Sequence, residues 1–322
     1  MPFVKERFVV KEKIPAFLYV MRKFGYTQGE AQRLIAKGRL LIDGESMYKT
    51  GQQIKGEIEI VYFKPQSKSN PPIFSNENFM VFEKTSGVLV HPNTMSTPYS
   101  MLDEIRVYGN DKSNATHRID METSGLLLAS KHIEAERYLK GSFEAKTIQK
   151  SYLAWVDGKM SENTTLKAPI AIRDDYSISK HKVKLSPLGK MSETYFEPIE
   201  YDEELDATLV RCYPKTGRTH QIRIHLFHMK HPILGDPLYG TTYQIANLYL
   251  EDKLTPKERA YHTGANRLML HADTLEFRYN QRFFIRSLID FRDEKYNILK
   301  DRDKKVYFGN IWGESEECPN SI

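Results

Sequence analysis

The apolar positions of the first sixty residues follow first a helical and then an alternating period. Pro15-Ala16-Phe17-Leu18-Tyr19-Val20-Met21-Arg22 has helical spacing, and Gly25 ends it. Thr27-Gln28-Gly29-Glu30 has the form of a capping box, a hydroxyl for an early helix N–H and a carboxylate reaching back. In the helix it opens, Ala31, Leu34 and Ile35 make an inward stripe. Arg33 and Lys37 stand four apart on another face, and Gly38 is a natural stop. Leu40-Leu41-Ile42-Asp43-Gly44 reads as a strand and a turn, and Glu57-Ile58-Glu59-Ile60-Val61 alternates like a half-buried strand. A compact helix–helix–strand unit is therefore expected over residues 1–62.

From Lys64 to Asn78 the chain is rich in Pro, Ser and Asn, with Pro71-Pro72, and residues 63–78 read as a linker. Strand-like apolar runs then recur at 79–82, 87–90, 125–129, 152–156 and 209–212, with a helical stretch near 132–145. There is no regular βαβ alternation and no internal repeat. The expected class is α+β: a mixed, largely antiparallel sheet with flanking helices over 79–312, preceded by a small α/β module. The end of the chain, 313–322 with Glu314, Glu316 and Glu317, is expected to fray.

Composition adds bounds. The 322 residues are 40% hydrophobic and 28% charged, with 19 Tyr and 16 Phe, enough for a core in each of two domains. No apolar run approaches the roughly 18 residues of a membrane span, and no secretory signal is expected from the first residues. Cys212 and Cys318 are far apart and in no metal-like spacing, so two free thiols in a reducing cytoplasm are expected. The net charge of +5 is unevenly spread: residues 1–70 hold 13 Lys and Arg against 7 Asp and Glu, the remainder 34 against 35. A basic segment attracts polyanions, because neutralising phosphates releases condensed counterions.

Three clusters could carry chemistry. The first is His117-Arg118-Ile119-Asp120-Met121-Glu122-Thr123-Ser124-Gly125, an acid and an arginine beside a turn that enters an apolar strand. The second is Lys150-Ser151-Tyr152 at the start of a strand. The third is Thr216-Gly217-Arg218-Thr219-His220-Gln221-Ile222-Arg223-Ile224-His225, leading to His231-Pro232-Ile233-Leu234-Gly235-Asp236-Pro237. Three chemistries fit these residues. A metal-dependent hydrolase could use His117, Asp120, His220 and His225, although none of these is spaced like a helical metalloprotease pair. A paired-carboxylate mechanism could join Asp120 to Glu122 or Asp236, but residues 120 and 122 rarely face each other across a substrate. The third is a lone carboxylate, held ionised by an arginine, that attacks an electrophilic carbon.

The order of the clusters resembles one family. His117-Arg118-Ile119-Asp120 with Thr123-Ser124-Gly125-Leu126, Thr216 to Arg223 and His231 to Pro237 are similar to the motifs of RluA-type pseudouridine synthases. Glu83 to Pro92, Lys150 with Tyr152, Gly189-Lys190 ahead of Thr194 and Leu270-His271-Ala272 add to the match, which runs from about residue 75 to 290. The run Ala31 to Gly44, closing with Ile54 to Ile58, resembles the alpha-L RNA-binding motif. Thr85 stands where the family usually has Pro, Ser192 replaces an Ala, and Thr241–Asn266 is longer than the minimal form, a candidate substrate-specific insertion.

The resemblance implies an isomerase of uridine in structured RNA, with no cofactor or metal. Asp120 would be the nucleophile, or the group that stabilises positive charge at ribose C1′. Arg223 would pair with it, with Arg218 the competing candidate. Tyr152 would pack on the base and help C5 lose its proton. Arg118 would enter the RNA stack in place of the extruded nucleotide, and Ile222 and Leu270 would line the pocket. In the N-terminal module, Arg22, Lys23, Arg33, Lys37 and Arg39 would meet phosphates. The expected partner is ribosomal RNA, with tRNA as second choice, in the cytoplasm, with no membrane association and no obligate protein partner. The rival from another class is a non-catalytic RNA-binding protein on the same fold.

Overall fold

The computed structural model describes residues 2–173 and 182–303; Cys318 and the tail expected to fray lie outside them. The chain forms two compact units, residues 1–69 with 91–107, and 70–90 with 108–322. In the first, β1 (Phe3–Pro15) leads into α1 (Ala16–Phe24), α2 (Gln28–Ala36), β2 (Leu40–Ile42), β3 (Glu45–Met47) and β4 (Gln53–Phe63). The sheet order is β1-β4-β2-β3. The expected capping box forms at Thr27 and Glu30, and Ala31, Leu34 and Ile35 are buried with Val20, Ile58 and Ile60. The long strand β1 was not foreseen in the pattern. It is an edge strand of which only Phe8 and Val10 are buried, while Lys5 and Arg7 pair with Glu59 on β4. Charges on an edge discourage pairing with other chains, and they also erase the alternation that marks a strand. Residues expected in the linker are tied to α3 (Met101–Tyr108): Ser67 Oγ donates to Glu104 and the Gln66 N–H to Asp103.

The second unit contains β5 (Phe74–Ser75), β6 (Phe79–Lys84), β7 (Asn114–Ala115), β8 (Ser124–Ser130), α4 (Ile133–Glu144), β9 (Gln149–Asp157) and β10 (Thr164–Ile172). These are followed by β11 (Val183–Leu185), β12 (Lys190–Asp202), β13 (Ala207–Pro214), α5 (Gln221–His228), α6 (Tyr243–Leu250), α7 (Pro256–Thr263), β14 (Leu270–Tyr279) and β15 (Gln281–Arg286). Among the described residues its sheet runs β11-β10-β12-β13-β9-β14-β8-β6-β5, with β15 beside β14 and β7 beside β8. Every pairing is antiparallel except β14 with β8, so the expected α+β class with a largely antiparallel sheet holds. That parallel contact explains Gly125: it has φ +101°, and a Cβ there would lie 2.3 Å from the Ala272 carbonyl oxygen. Trp155, Phe79, Phe82 and Phe196 are fully buried on this sheet.

One expected strand is absent. Residues 87–90 form no strand: Ser86 and Gly87 make a turn, with Gly87 at φ +84°, and Leu89 makes only a single bridge. The buried Lys84 accounts for it, because Nζ donates to the carbonyls of Thr85, Val88 and Met121 and so turns those groups inward. The 241–266 stretch folds as α6 and α7. No helix among the described residues is long and apolar enough to cross a membrane.

Candidate active site

Asp120 lies in the loop between β7 and β8, where the Thr123 N–H donates to its carbonyl. The loop is held from behind by the turn after β6: Lys84 Nζ and the Gly87 N–H donate to the Met121 carbonyl, and Ser86 Oγ donates to that of Glu122. Burial pulls the Lys84 pKa down to about 7, against the carboxylates of Glu122 and Asp120. The motif around Glu83 to Val88 is thus the support of the Asp120 loop.

Arg223 enters from the first turn of α5. The loop before that helix is pinned by Gln221, whose side-chain amide donates to Glu193 O and Thr194 Oγ1 and accepts from Thr216 and the Arg218 N–H. Arg223 Nη1 stands 3.6 Å from Asp120 Oδ2, with the arginine 3% and the aspartate 30% exposed. Arg223 thus comes within ion-pair distance of Asp120, but its planar fork does not hold Asp120. The fork is taken by the buried Asp236, with Nε and Nη2 at 2.7 and 2.8 Å from its two oxygens. Burial draws the Arg223 pKa down, but Asp236 and then Asp120 more than offset it, so the guanidinium is held protonated. Arg218, the competing candidate, turns its Nε to the Met191 carbonyl at 3.4 Å, and Asp120's second basic neighbour is His220, Nε2 at 3.8 Å.

A cavity of about 90 Å³ beside Asp120 is lined by Tyr152, Ile222, Leu270, Lys150 and Arg118. Tyr152 projects from β9. Burial and then the charge of Asp120 push its hydroxyl above the usual phenol range, so it stays protonated. The cavity adjoins a groove of about 980 Å³ with Arg118, Lys146, Lys150, Lys182, Lys215 and Arg218 against Asp120 and Glu144. Five of the predicted residues (Asp120, Tyr152, Arg223, Ile222, Leu270) therefore meet at one cavity, with the exposed Arg118 at its rim.

In the N-terminal unit, Arg22, Lys23, Arg33 and Lys37 are exposed. Arg39 is half-buried, its guanidinium 4.6 Å over the Phe3 ring, and Lys23 Nζ lies 4.8 Å over Phe8.

Neither of the other chemistries assembles. His117 accepts from the Leu128 N–H and stacks on Phe143, while His225 is held by Ser192 and Thr194. Among the described residues no three His, Cys, Asp or Glu converge as ligands. Glu122 and Asp236 are each committed to an arginine. Ser192, a departure from the family pattern, donates to the Ala168 carbonyl and meets His225 Nε2 at 2.8 Å. Asp236 itself was underweighted by sequence reasoning. An acid inside the apolar run Ile233-Leu234-Gly235-Asp236-Pro237-Leu238 was the available signal, since a buried carboxylate requires a cation.

A basic groove that ends on one part-exposed carboxylate, backed by a buried arginine and an aromatic ring, defines an enzyme acting on a polyanion. The sequence model of the family described as RNA pseudouridylate synthase matches residues 78–228. A Helicobacter pylori protein named as an uncharacterized RNA pseudouridine synthase is 36% identical over 280 residues, covering 87% of this chain and 91% of the relative. The chain belongs to the RNA pseudouridine synthase family and is an isomerase that converts uridine to pseudouridine. Ribosomal large subunit pseudouridine synthase C of Vibrio vulnificus is 36% identical over 208 residues, 64% of this chain and 60% of that protein. Ribosomal large subunit pseudouridine synthase D of Xanthomonas campestris is 27% identical over 265 residues, 78% and 77% of the two chains. The fold is shared with human RNA pseudouridylate synthase domain containing 1, at TM-score 0.55 and 22% identity over 70% of this chain and 86% of that one.

Proposed function

We propose that Asp120 meets the ribose C1′ of a uridine extruded from structured ribosomal RNA, and that Arg223 and Tyr152 complete the catalytic group. The observation that carries this is the single part-exposed carboxylate, 3.6 Å from a buried guanidinium, in a cavity lined by Tyr152, Ile222 and Leu270. The C1′–N1 bond breaks as the Asp120 carboxylate meets the positive charge developing at C1′. The base turns, C5 bonds to C1′, the proton on C5 leaves and N1 gains one, so that the reaction is an isomerisation. The charge of Asp120 disfavours a Tyr152 phenolate. Tyr152, protonated, therefore takes the C5 proton only as it gives up its own hydroxyl proton, a relay that returns a proton to N1. Arg118 at the rim takes the place of the extruded nucleotide, whose unstacking the chemistry requires.

Residues 1–62 act as the RNA-binding module, with Arg22, Lys23, Arg33, Lys37 and Arg39 on phosphates, residues 63–78 join it to the catalytic domain, and 79–312 form that domain apart from 91–107, which pack in the first unit. Large-subunit ribosomal RNA as the substrate is supported by the names of the Vibrio and Xanthomonas relatives, and such a substrate sets the enzyme in the cytoplasm. The test is Asp120→Asn, an amide of the same shape. It is expected to abolish pseudouridine formation while RNA affinity survives, and substantial turnover would overturn the role. Pseudouridine maps of RNA from cells with and without the protein are expected to differ in the large-subunit ribosomal RNA. A difference confined to tRNA would overturn the substrate.

A further inference from the structure

The helices α6 and α7 add little to the apolar core: Ala246 is the buried residue of α6, and α7 has none. Each nevertheless sends one long polar side chain to the same buried carboxylate. Tyr249 Oη donates to Glu122 Oε1 at 2.8 Å, and Arg259 Nη2 donates to Glu122 Oε2 at 2.8 Å. Glu122 lies two residues after Asp120 and is 7% exposed, so the 241–266 segment holds both oxygens of an acid in the Asp120 loop.

Arg259 does more than neutralise that acid. Its Nε and Nη2 donate to the Gly235 carbonyl at 3.2 and 2.7 Å. Gly235 precedes Asp236, the residue that orients Arg223, and it packs so closely that a Cβ there would lie 1.7 Å from the Arg267 carbonyl oxygen. One guanidinium thus joins the loop of Asp120 to the loop of Asp236, and a second, Arg223, joins the same two loops through their carboxylates. The contacts close a ring: Asp120, Arg223, Asp236, the Gly235 carbonyl, Arg259, Glu122, and two residues of backbone to Asp120.

We infer that Arg259 and Tyr249 are positioning residues for the isomerisation, and that the ring they close sets the distance between Asp120 and Arg223. The 241–266 segment is then part of the catalytic apparatus, not only an insertion that contacts substrate. The inference rests on the role of Asp120 proposed above. Its physical basis is that a loop carrying a reacting group loses rate steeply when it shifts: about 1 Å of misplacement costs on the order of 100-fold. Burial pushes the Glu122 carboxyl up, and Arg259, Tyr249 and the more distant Arg223 more than offset this, so it lies below its ordinary range.

The experiment uses the full-length enzyme, tritium release from RNA labelled at uridine C5, and total RNA from cells lacking the protein. Tyr249→Phe, which removes one hydroxyl, is expected to lower kcat about 3- to 10-fold, and Arg259→Ala about 10- to 100-fold. The RNA concentration for half-maximal rate is expected to stay within about twofold. Arg259→Lys keeps the charge but not both acceptors, and should fall between. Because the Tyr249 hydroxyl helps hold the Glu122 carboxyl down, Tyr249→Phe should also move the acid limb of kcat to higher pH. Wild-type kcat and pH profile in Tyr249→Phe and Arg259→Lys, measured below their unfolding temperatures, would overturn the inference even if both melt earlier. Should Arg259→Ala fail to fold, Tyr249→Phe decides. Asp120→Asn is run beside them: if it is inactive while both variants match wild type, only this inference fails, whereas an active Asp120→Asn removes the reading beneath it.

Discussion

Arg223 gives both arms of its fork to Asp236, at 2.7 and 2.8 Å, and faces Asp120 with its remaining amino group at 3.6 Å. Orientation therefore comes from Asp236, and Asp120 receives a directed charge. Asp236→Asn should leave Arg223 with one acceptor and an amide N–H against a guanidinium. Breaking a buried pair from one side typically costs about 3–5 kcal/mol, so urea denaturation should register a loss of that size together with a fall in kcat. Arg223→Lys keeps the charge without the fork and should lose about 100-fold in turnover, with Arg223→Ala lower still. Wild-type kcat in Asp236→Asn would show that the fork does not orient the site.

Tyr152 stays protonated, because burial and the charge of Asp120 both disfavour the phenolate. Tyr152→Phe keeps the ring proposed to pack on the base and removes the hydroxyl proposed to relay the C5 proton. RNA affinity should hold within about twofold, while tritium release from C5 falls about 100-fold or more, within the range of positioned acid–base groups. A variant that loses affinity and rate in parallel would assign the hydroxyl to binding.

The exposed Arg33 on α2 and Lys37 just after it should contribute affinity and not chemistry. In the full-length protein, replacing both with Gln should weaken binding to long RNA and reduce the slope of log K against log salt by about 0.7–0.9 per lost phosphate contact. kcat at saturating RNA should not change. An identical slope in the variant would mean that this face does not meet phosphate.

Two fully buried histidines make stability fall in mild acid. Burial, with His228 nearby, lowers the His225 pKa to about 4, and burial, with Arg267 nearby, lowers that of His271 to about 3. The unfolded chain titrates near pH 6.5, so below that pH it binds protons the folded state refuses. Stability is thus unaffected by these groups above pH about 6.5 and drops below it. The limiting slope is about 1.4 kcal/mol per pH unit for each. Denaturant midpoints at about pH 7.5, 6 and 5 check this, and His271→Gln should show the shallower slope. Equal slopes in both proteins would mean that His271 titrates normally in the fold.

The parts of this protein legible in the chain have local causes. A capping box needs residues three apart, and Thr27 with Glu30 forms one; a helix face needs a 3.6 period, and Ala31, Leu34 and Ile35 are buried as that period demands. β1 leaves no clear pattern because an edge strand buries one side at only a few positions, and the 87–90 run forms no strand because Lys84, not periodicity, takes the Val88 carbonyl. The order of the motifs was sufficient to bring Asp120, Tyr152 and Arg223 together, although up to 103 positions separate them.

Which partner each charged group takes is another matter. The fork of Arg223 goes to an acid 13 positions away, and the two oxygens of Glu122 go to groups 127 and 137 positions away. Such separations follow no period. They are set by where α5, α6 and α7 come to rest against the sheet, and once water is excluded each buried charge must take the oppositely charged or hydrogen-bonding group that packing leaves within reach. The chain carries the inventory of acids and arginines, and the packed helices assign the pairs.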